Sequence, residues 1–143
     1  SKMEENLNQL KELFQLENRD LKTYSPLTLA YLGDGVYELV IRTILVKKGN
    51  CPVNRLHKQA SSLVKAGAQS AMMEKIQPEL TEEELGVYKR GRNAHSPTMA
   101  KHATMADYRR ATGFEALMGY LYLKEDFSRI LTLIRLGIGE DVL

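Results

Sequence analysis

Residues 27–46 read LTLAYLGDGVYELVIRTILV, apolar around most of a helical circumference and broken near the middle by Gly33-Asp34-Gly35. A helix with that pattern is one buried on several sides. An ionised carboxylate placed inside it loses its hydration, a penalty of several kcal/mol unless a cation or hydrogen-bond donors replace the water. Each glycine in a helix interior costs about 1 kcal/mol relative to alanine. Gly33 and Gly35 therefore predict that a second backbone, or a ligand, comes close beside Asp34.

A second stretch has the same character. Residues 114–123 read FEALMGYLYL, and here the acid among the hydrocarbon is Glu115, followed by Ala116 and, one turn on, Gly119. If the two helices cross at these small residues, Asp34 and Glu115 face one another. Two converging carboxylates without a basic partner suit a hard divalent cation. Mg²⁺ binds through one or two protein carboxylates and keeps several of its waters. Pairing of each acid with a lysine, an arginine or backbone donors is the alternative. Glu38, one turn beyond Asp34, either joins the site or pairs with a surface cation.

Outward from these two helices, the rest of the chain also reads as helical. Ser25-Pro26, Cys51-Pro52 and Ser96-Pro97 place prolines suited to first turns, and Thr81 with Glu84 forms a capping box. Apolar residues recur at helical spacing, and no sustained period-two run with hairpin signals is present. Helices are expected at 4–16, 26–48, 52–66, 68–77, 81–90, 97–103, 105–124 and 126–137, with Gly49, Gly67 and Gly91 as stops. The expected fold is a single all-α domain over 1–143, with an N-terminal helix within 1–20.

Composition sets the outer limits. With 143 residues, 43% hydrophobic and 27% charged, the chain can build a core and is not a disordered segment. No apolar run reaches the roughly 20 residues of a membrane span, and no charged-then-apolar leader opens the chain. The lone Cys51 leaves no internal disulfide or cysteine zinc cluster, so a reducing, cytoplasmic location is expected. Net charge is +2, yet the window from Lys89 to Arg110 holds Lys89, Arg90, Arg92, Lys101, Arg109 and Arg110 against Asp107 alone. A mildly acidic body with one basic segment is the electrostatic footprint of a polyanion-binding protein. Lys89, Arg90 and Arg92 around Gly91 are expected to form a mobile phosphate-gripping loop. His57 is expected on a solvated face, and His95 and His102 lie in the basic segment.

These residues carry a resemblance. Leu29-Ala30-Tyr31-Leu32-Gly33-Asp34-Gly35-Val36-Tyr37 resembles the signature helix of the ribonuclease III catalytic domain. Thr112-Gly113-Phe114-Glu115-Ala116-Leu117-Met118-Gly119-Tyr120 is similar to that family's second acidic helix. The compact branch, Mini-ribonuclease III, is the best match: Lys89-Arg90-Gly91-Arg92-Asn93-Ala94 and Tyr108-Arg109-Arg110-Ala111-Thr112 resemble it, as does the lack of a double-stranded-RNA-binding domain. The resemblance runs from about Leu21 to Leu136. It implies a helical homodimer that hydrolyses double-stranded RNA with Mg²⁺, leaving 5′-phosphate and 3′-hydroxyl ends. It further implies a role in maturing large-subunit (23S) ribosomal RNA, with a ribosomal protein as a further partner.

Carried over by position, Asp34 and Glu115 are the catalytic and metal-binding acids. Lys89, Arg90, Arg92, Asn93 and Lys101 are the RNA-binding residues. Where the larger enzymes have further acids, this chain has Leu27, Ala30 and Thr112, so its acidic site is reduced. A bound Mg²⁺ would activate the attacking water, so no catalytic histidine is required. Two other functions fit less of the pattern. One is a helical RNA-binding dimer without activity. The other is an all-α nucleotide pyrophosphohydrolase using Asp34 and Glu38.

Overall fold

The computed structural model describes residues 2–94 and 104–140. Within them lie seven α-helices: α1 (Lys2–Leu13), α2 (Pro26–Lys48), α3 (Val53–Val64), α4 (Ala66–Ile76), α5 (Glu82–Asn93), α6 (Met105–Leu123) and α7 (Phe127–Ile138). No strand occurs among the described residues, as the all-α expectation requires. The expected helix at 97–103, Lys101, His95 and His102 lie outside them.

Side chains open most of the helices. Ser25 accepts the Thr28 amide with Pro26 in the first turn of α2, Thr104 accepts that of Asp107, and Asp126 that of Arg129. The capping box at the start of α5 is complete: the Glu84 amide donates to Thr81 Oγ1 at 3.1 Å and the Thr81 amide to Glu84 Oε1 at 2.9 Å. Gly49 ends α2 at φ +148°, a backbone state that L side chains rarely adopt.

Two glycines expected to stop helices do not. The break between α3 and α4 falls at Lys65, whose backbone is extended, and Gly67 sits within the first turn of α4. Gly91 lies inside α5, which continues to Asn93. A methyl group there would come within 2.8 Å of Ala116 Cβ and 2.9 Å of Gly113 Cα. This glycine lets α5 press against α6, so the basic residues around it belong to a helix rather than to a loop.

The core is organised around α6, against which α2, α4, α5 and α7 all pack. Every residue from Ala111 to Leu121 is buried except Glu115, which is half-buried. Phe114 meets Tyr37 of α2 edge-on, with ring centroids 5.1 Å apart. The Tyr37 hydroxyl lies 2.8 Å from the Leu63 carbonyl and 3.0 Å from Met72 Sδ, which satisfies a phenol that burial holds protonated. Met72, Met73 and Met118 fill the core as expected, whereas Met105 is exposed. His57 is exposed, as read from the sequence.

One ion pair ties the periphery to this core. Arg129 of α7 donates to both carboxylate oxygens of the buried Glu84 at 2.8 Å, and also to the Glu79 carbonyl. Its two-pronged hydrogen bond holds the Glu84 carboxyl below the ordinary carboxylate range, against the opposing effect of burial. Glu84 thus serves the helix cap and the α5–α7 junction at once.

The burial of α2 is less complete than its composition predicts. One face packs on α6, but Tyr31, Leu39 and Val46 form a stripe along the other, with Tyr31 85% and Leu39 65% exposed. Asp34 is exposed beside that stripe, so the expectation of a carboxylate sealed inside a core is corrected. Periodicity shows that a helix is apolar all round. It does not say which part of that surface its own chain covers.

Candidate active site

Gly33 and Gly119 bring α2 and α6 into backbone contact. A methyl group on Gly33 would overlap the Glu115 carbonyl, and one on Gly119 would overlap the carbonyl of Leu29. No larger residue fits either place, and this answers the question posed by the glycine at 33. Gly35 has no such role: nothing lies within 4 Å of where its methyl would be.

The crossing places the Asp34 and Glu115 carboxyls in hydrogen-bonding contact, as the sequence pattern requires. Burial first, and then that contact and its charge, push the Glu115 carboxyl up to about 8. Gln69 of α4 opposes the shift by a hydrogen bond, while the Glu38 charge adds to it. Near neutral pH the Glu115 carboxyl therefore keeps its proton. Such a pair can exchange that proton for a cation.

Glu38 pairs with Arg42 at 3.4 Å, one turn further along α2, and stays near enough to act on Glu115 electrostatically. Of the two uses foreseen for it, the pairing with a surface cation is the one seen. Thr112, in place of an acid of the larger enzymes, spends its hydroxyl on the Tyr108 carbonyl at 3.0 Å. Ala30 is buried. Among the described residues no group of three or more His, Cys, Asp or Glu side chains forms a metal cluster. The oxygens at hand are those of two carboxyls and, beside them, a buried amide: Gln69 is 2% exposed and its Oε1 has no hydrogen-bond partner. Hard oxygen donors, with room on the exposed Asp34 side for retained waters, fit a hydrated divalent cation.

Of the expected RNA-binding residues, Lys89, Arg90 and Asn93 are exposed on the last turns of α5, and Arg92 is half-buried over the Tyr88 ring, 5.6 Å from its centroid. Arg90 lines a cleft of about 710 Å³ with Lys22, Lys124, Glu82, Glu83 and Tyr120. Neither Asp34 nor Glu115 lines that cleft. Within it the Tyr120 hydroxyl donates to Glu83, and Lys124 pairs with the same carboxylate at 3.3 Å. At the start of α6, Arg110 donates to Ser70 Oγ at 3.2 Å, while Arg109 is exposed.

Sequence reading passed over Gln69, although a signal was present. It stands three, four and seven residues before Met72, Met73 and Ile76, all buried, so a polar group occupies the inward row of α4.

Comparison with known proteins gives the family of the chain. The pattern of the Ribonuclease III domain matches residues 27–126. A Mini-ribonuclease 3 from Clostridium tetani is 49% identical over 126 residues, covering 87% of this chain and 83% of that one. One from Thermoanaerobacter is 46% identical, covering 86% and 91%. An X-ray crystal structure of a Fusobacterium nucleatum protein superposes with a TM-score of 0.77 at 34% identity, covering 85% of this chain and 93% of that one.

Proposed function

Since the chain belongs to the ribonuclease III family of endoribonucleases, we propose that it is a Mg²⁺-dependent enzyme that cuts double-stranded RNA and leaves 5′-phosphate ends. The observation that carries the metal is the meeting of the Asp34 and Glu115 carboxyls, where burial and the Asp34 charge raise the Glu115 carboxyl. The name Mini-ribonuclease 3 borne by the relatives favours the compact branch and, with it, ribosomal RNA precursors as substrate. A cytoplasmic location and a ribosomal protein as partner belong to the same reading.

The chain's own residues have distinct tasks. Asp34, exposed at the edge of α2, presents its carboxylate to a backbone passing over the surface. Glu115, fixed in the α6 core, supplies the second carboxylate and gives up its proton as the cation binds. A Mg²⁺ held by Asp34 and Glu115 would supply Lewis-acid chemistry there, lowering the pKa of an attacking water and offsetting charge on the leaving oxygen. An open site of this kind suits a polymer better than a free nucleotide, which would be enclosed. That favours the nuclease over the pyrophosphohydrolase.

The exposed stripe of Tyr31, Leu39 and Val46 beside Asp34 supports a second copy of the chain as partner. A two-fold pair would carry two sites related by the symmetry of a duplex. Lys89, Arg90, Arg92, Asn93 and Lys101 would hold phosphates and 2′-hydroxyls, the features by which A-form RNA is read.

Two experiments test the reading. A long RNA duplex and its single strand are incubated with the protein, with Mg²⁺ or with chelator, and the assembly mass is measured by sedimentation. Cutting of the duplex alone, only with metal, by a dimer that leaves 5′-phosphates is expected. A duplex left intact by well-folded protein in Mg²⁺ would move the assignment to an inactive RNA-binding scaffold. In the second, duplex affinity of Arg90→Ala/Arg92→Ala is followed across a salt series. Losing two phosphate contacts should flatten the slope of log K against log salt by about 1 to 2. An unchanged slope would remove the end of α5 from the RNA interface.

A further inference from the structure

Gln69 is placed where an amide is hard to explain by stability alone. It sits on the inward row of α4, 2% exposed, with its Nε2 donating to the Val64 carbonyl at 2.9 Å. A carbonyl only accepts, so Val64 fixes which end of the amide is the nitrogen. The same side chain lies close enough to Glu115 to oppose the rise of its pKa. Oε1 is then left buried with no donor, the one such side-chain atom among the described residues. An unsatisfied buried acceptor costs about 1–3 kcal/mol, which a methionine or leucine of similar volume would avoid. Neighbouring Ser70 accepts from Arg110 and makes no hydrogen bond to this oxygen.

We propose that Gln69 is the positioning residue of the carboxylate pair: anchored on Val64, its amide holds the Glu115 carboxylate toward Asp34, and its free Oε1 accepts a hydrogen bond from the water shell of the arriving cation. The inference rests on the metal-dependent reading above. It assigns to α4 a part in cation affinity, although α4 contributes no carboxylate to the site. Val64 belongs to α3, so three helices act on the geometry of Glu115: α6 carries it, α4 holds it and α3 orients the holder. A residue acting in this way sets how tightly the cation is held, and it touches neither the attacking water nor the phosphate.

Mn²⁺ binding followed by electron paramagnetic resonance, on the wild type and on Gln69→Met, separates this role from packing. Outer-shell partners of metal ligands are worth about 10–100-fold in affinity, and a loss of that size is expected for Gln69→Met. The cation concentration for half-maximal duplex cleavage should rise by the same factor. The rate at saturating cation should stay within about threefold of wild type, since no interaction made only in the transition state has been removed. Mn²⁺ affinity within twofold of wild type in a folded Gln69→Met protein would overturn the proposal. So would a lowered saturating rate with an unchanged cation midpoint.

A measurement on the unaltered protein covers the case in which the variant does not fold. The side-chain amide resonances of Gln69 should shift on Mg²⁺ addition with the midpoint of cation binding. Resonances that stay fixed at cation saturation would overturn the proposal. A wild type that binds no Mn²⁺ at all would overturn the metal-dependent reading, and this inference with it.

Discussion

Gly33→Ala is expected to destabilise the protein by about 4 kcal/mol, at the upper end of single-residue effects. The new methyl group would meet the Glu115 carbonyl and the Gly119 amide, both helical backbone, and no side chain there can swing aside. Overpacking against a movable neighbour costs about 1–3 kcal/mol, and here the relief must come from two helices moving apart. That displacement would open the contact between α2 and α6 on which much of the core depends and would carry Asp34 away from Glu115. Urea unfolding of Gly33→Ala beside Gly35→Ala provides the check. Gly35 has open space at its Cβ position and ordinary helical backbone, so its replacement should stabilise by about 0.4–1 kcal/mol. Two alanines, two residues apart on one helix, should thus act in opposite directions. A Gly33→Ala protein as stable as wild type would show that the helices do not touch there.

Asp34→Asn should lower duplex cleavage by about a thousandfold or more, since a cation held at two carboxylates supplies several kcal/mol of transition-state stabilisation. The same change should alter how stability depends on pH in the metal-free protein. Glu115 has its folded-state value raised from 4.5 to about 8. Below 4.5 the carboxyl is protonated in folded and unfolded chains alike, and it contributes nothing. Between 4.5 and about 8 the folded chain keeps a proton that the unfolded chain releases, so stability falls as pH rises. Above that window the whole penalty is present. Removing the Asp34 charge takes away the second and third causes of the shift and leaves burial, so the decline should become shallower in Asp34→Asn. Unfolding in chelator at pH 5, 6.5 and 8 reads this directly. Parallel wild-type and Asp34→Asn curves would mean that the two carboxyls are not coupled.

The sequence carried the helices and the meeting of the acids, but less of the surface. Capping residues at Ser25 and Thr81 act locally, so their reading did not depend on the fold. The Gly33 and Gly119 pair was legible because glycine inside a strong helix needs an external cause. Gly91 misled for the opposite reason, since a stop and a close crossing place the same residue in the chain, and only α6 tells them apart. Asp34 was read as buried because its apolar neighbours were taken to face the chain's own core, whereas Tyr31 and Leu39 face outward. Gln69, and the ion pair that Glu84 makes beyond its cap, were missed for a shared reason. Both residues are polar and on an inward row, and the partner of each, Glu115 or Arg129, is supplied by a helix distant in sequence.

The crossing of α2 on α6 has one more implication. With glycine on both sides, the contact is made by main chain, and the carbonyl that lies against Gly33 belongs to Glu115 itself. On the proposed function, the residue that chemistry needs and the residue that assembly needs are then the same link of the polypeptide. Such a molecule has little scope for a compact but inactive form, because loosening α6 enough to misplace the carboxylate also unseats the centre of the core. Adaptation to new substrates is then channelled away from α6, toward the outer turns of α5 and the uncovered side of α2. There, side chains can change without touching the hinge between catalysis and folding.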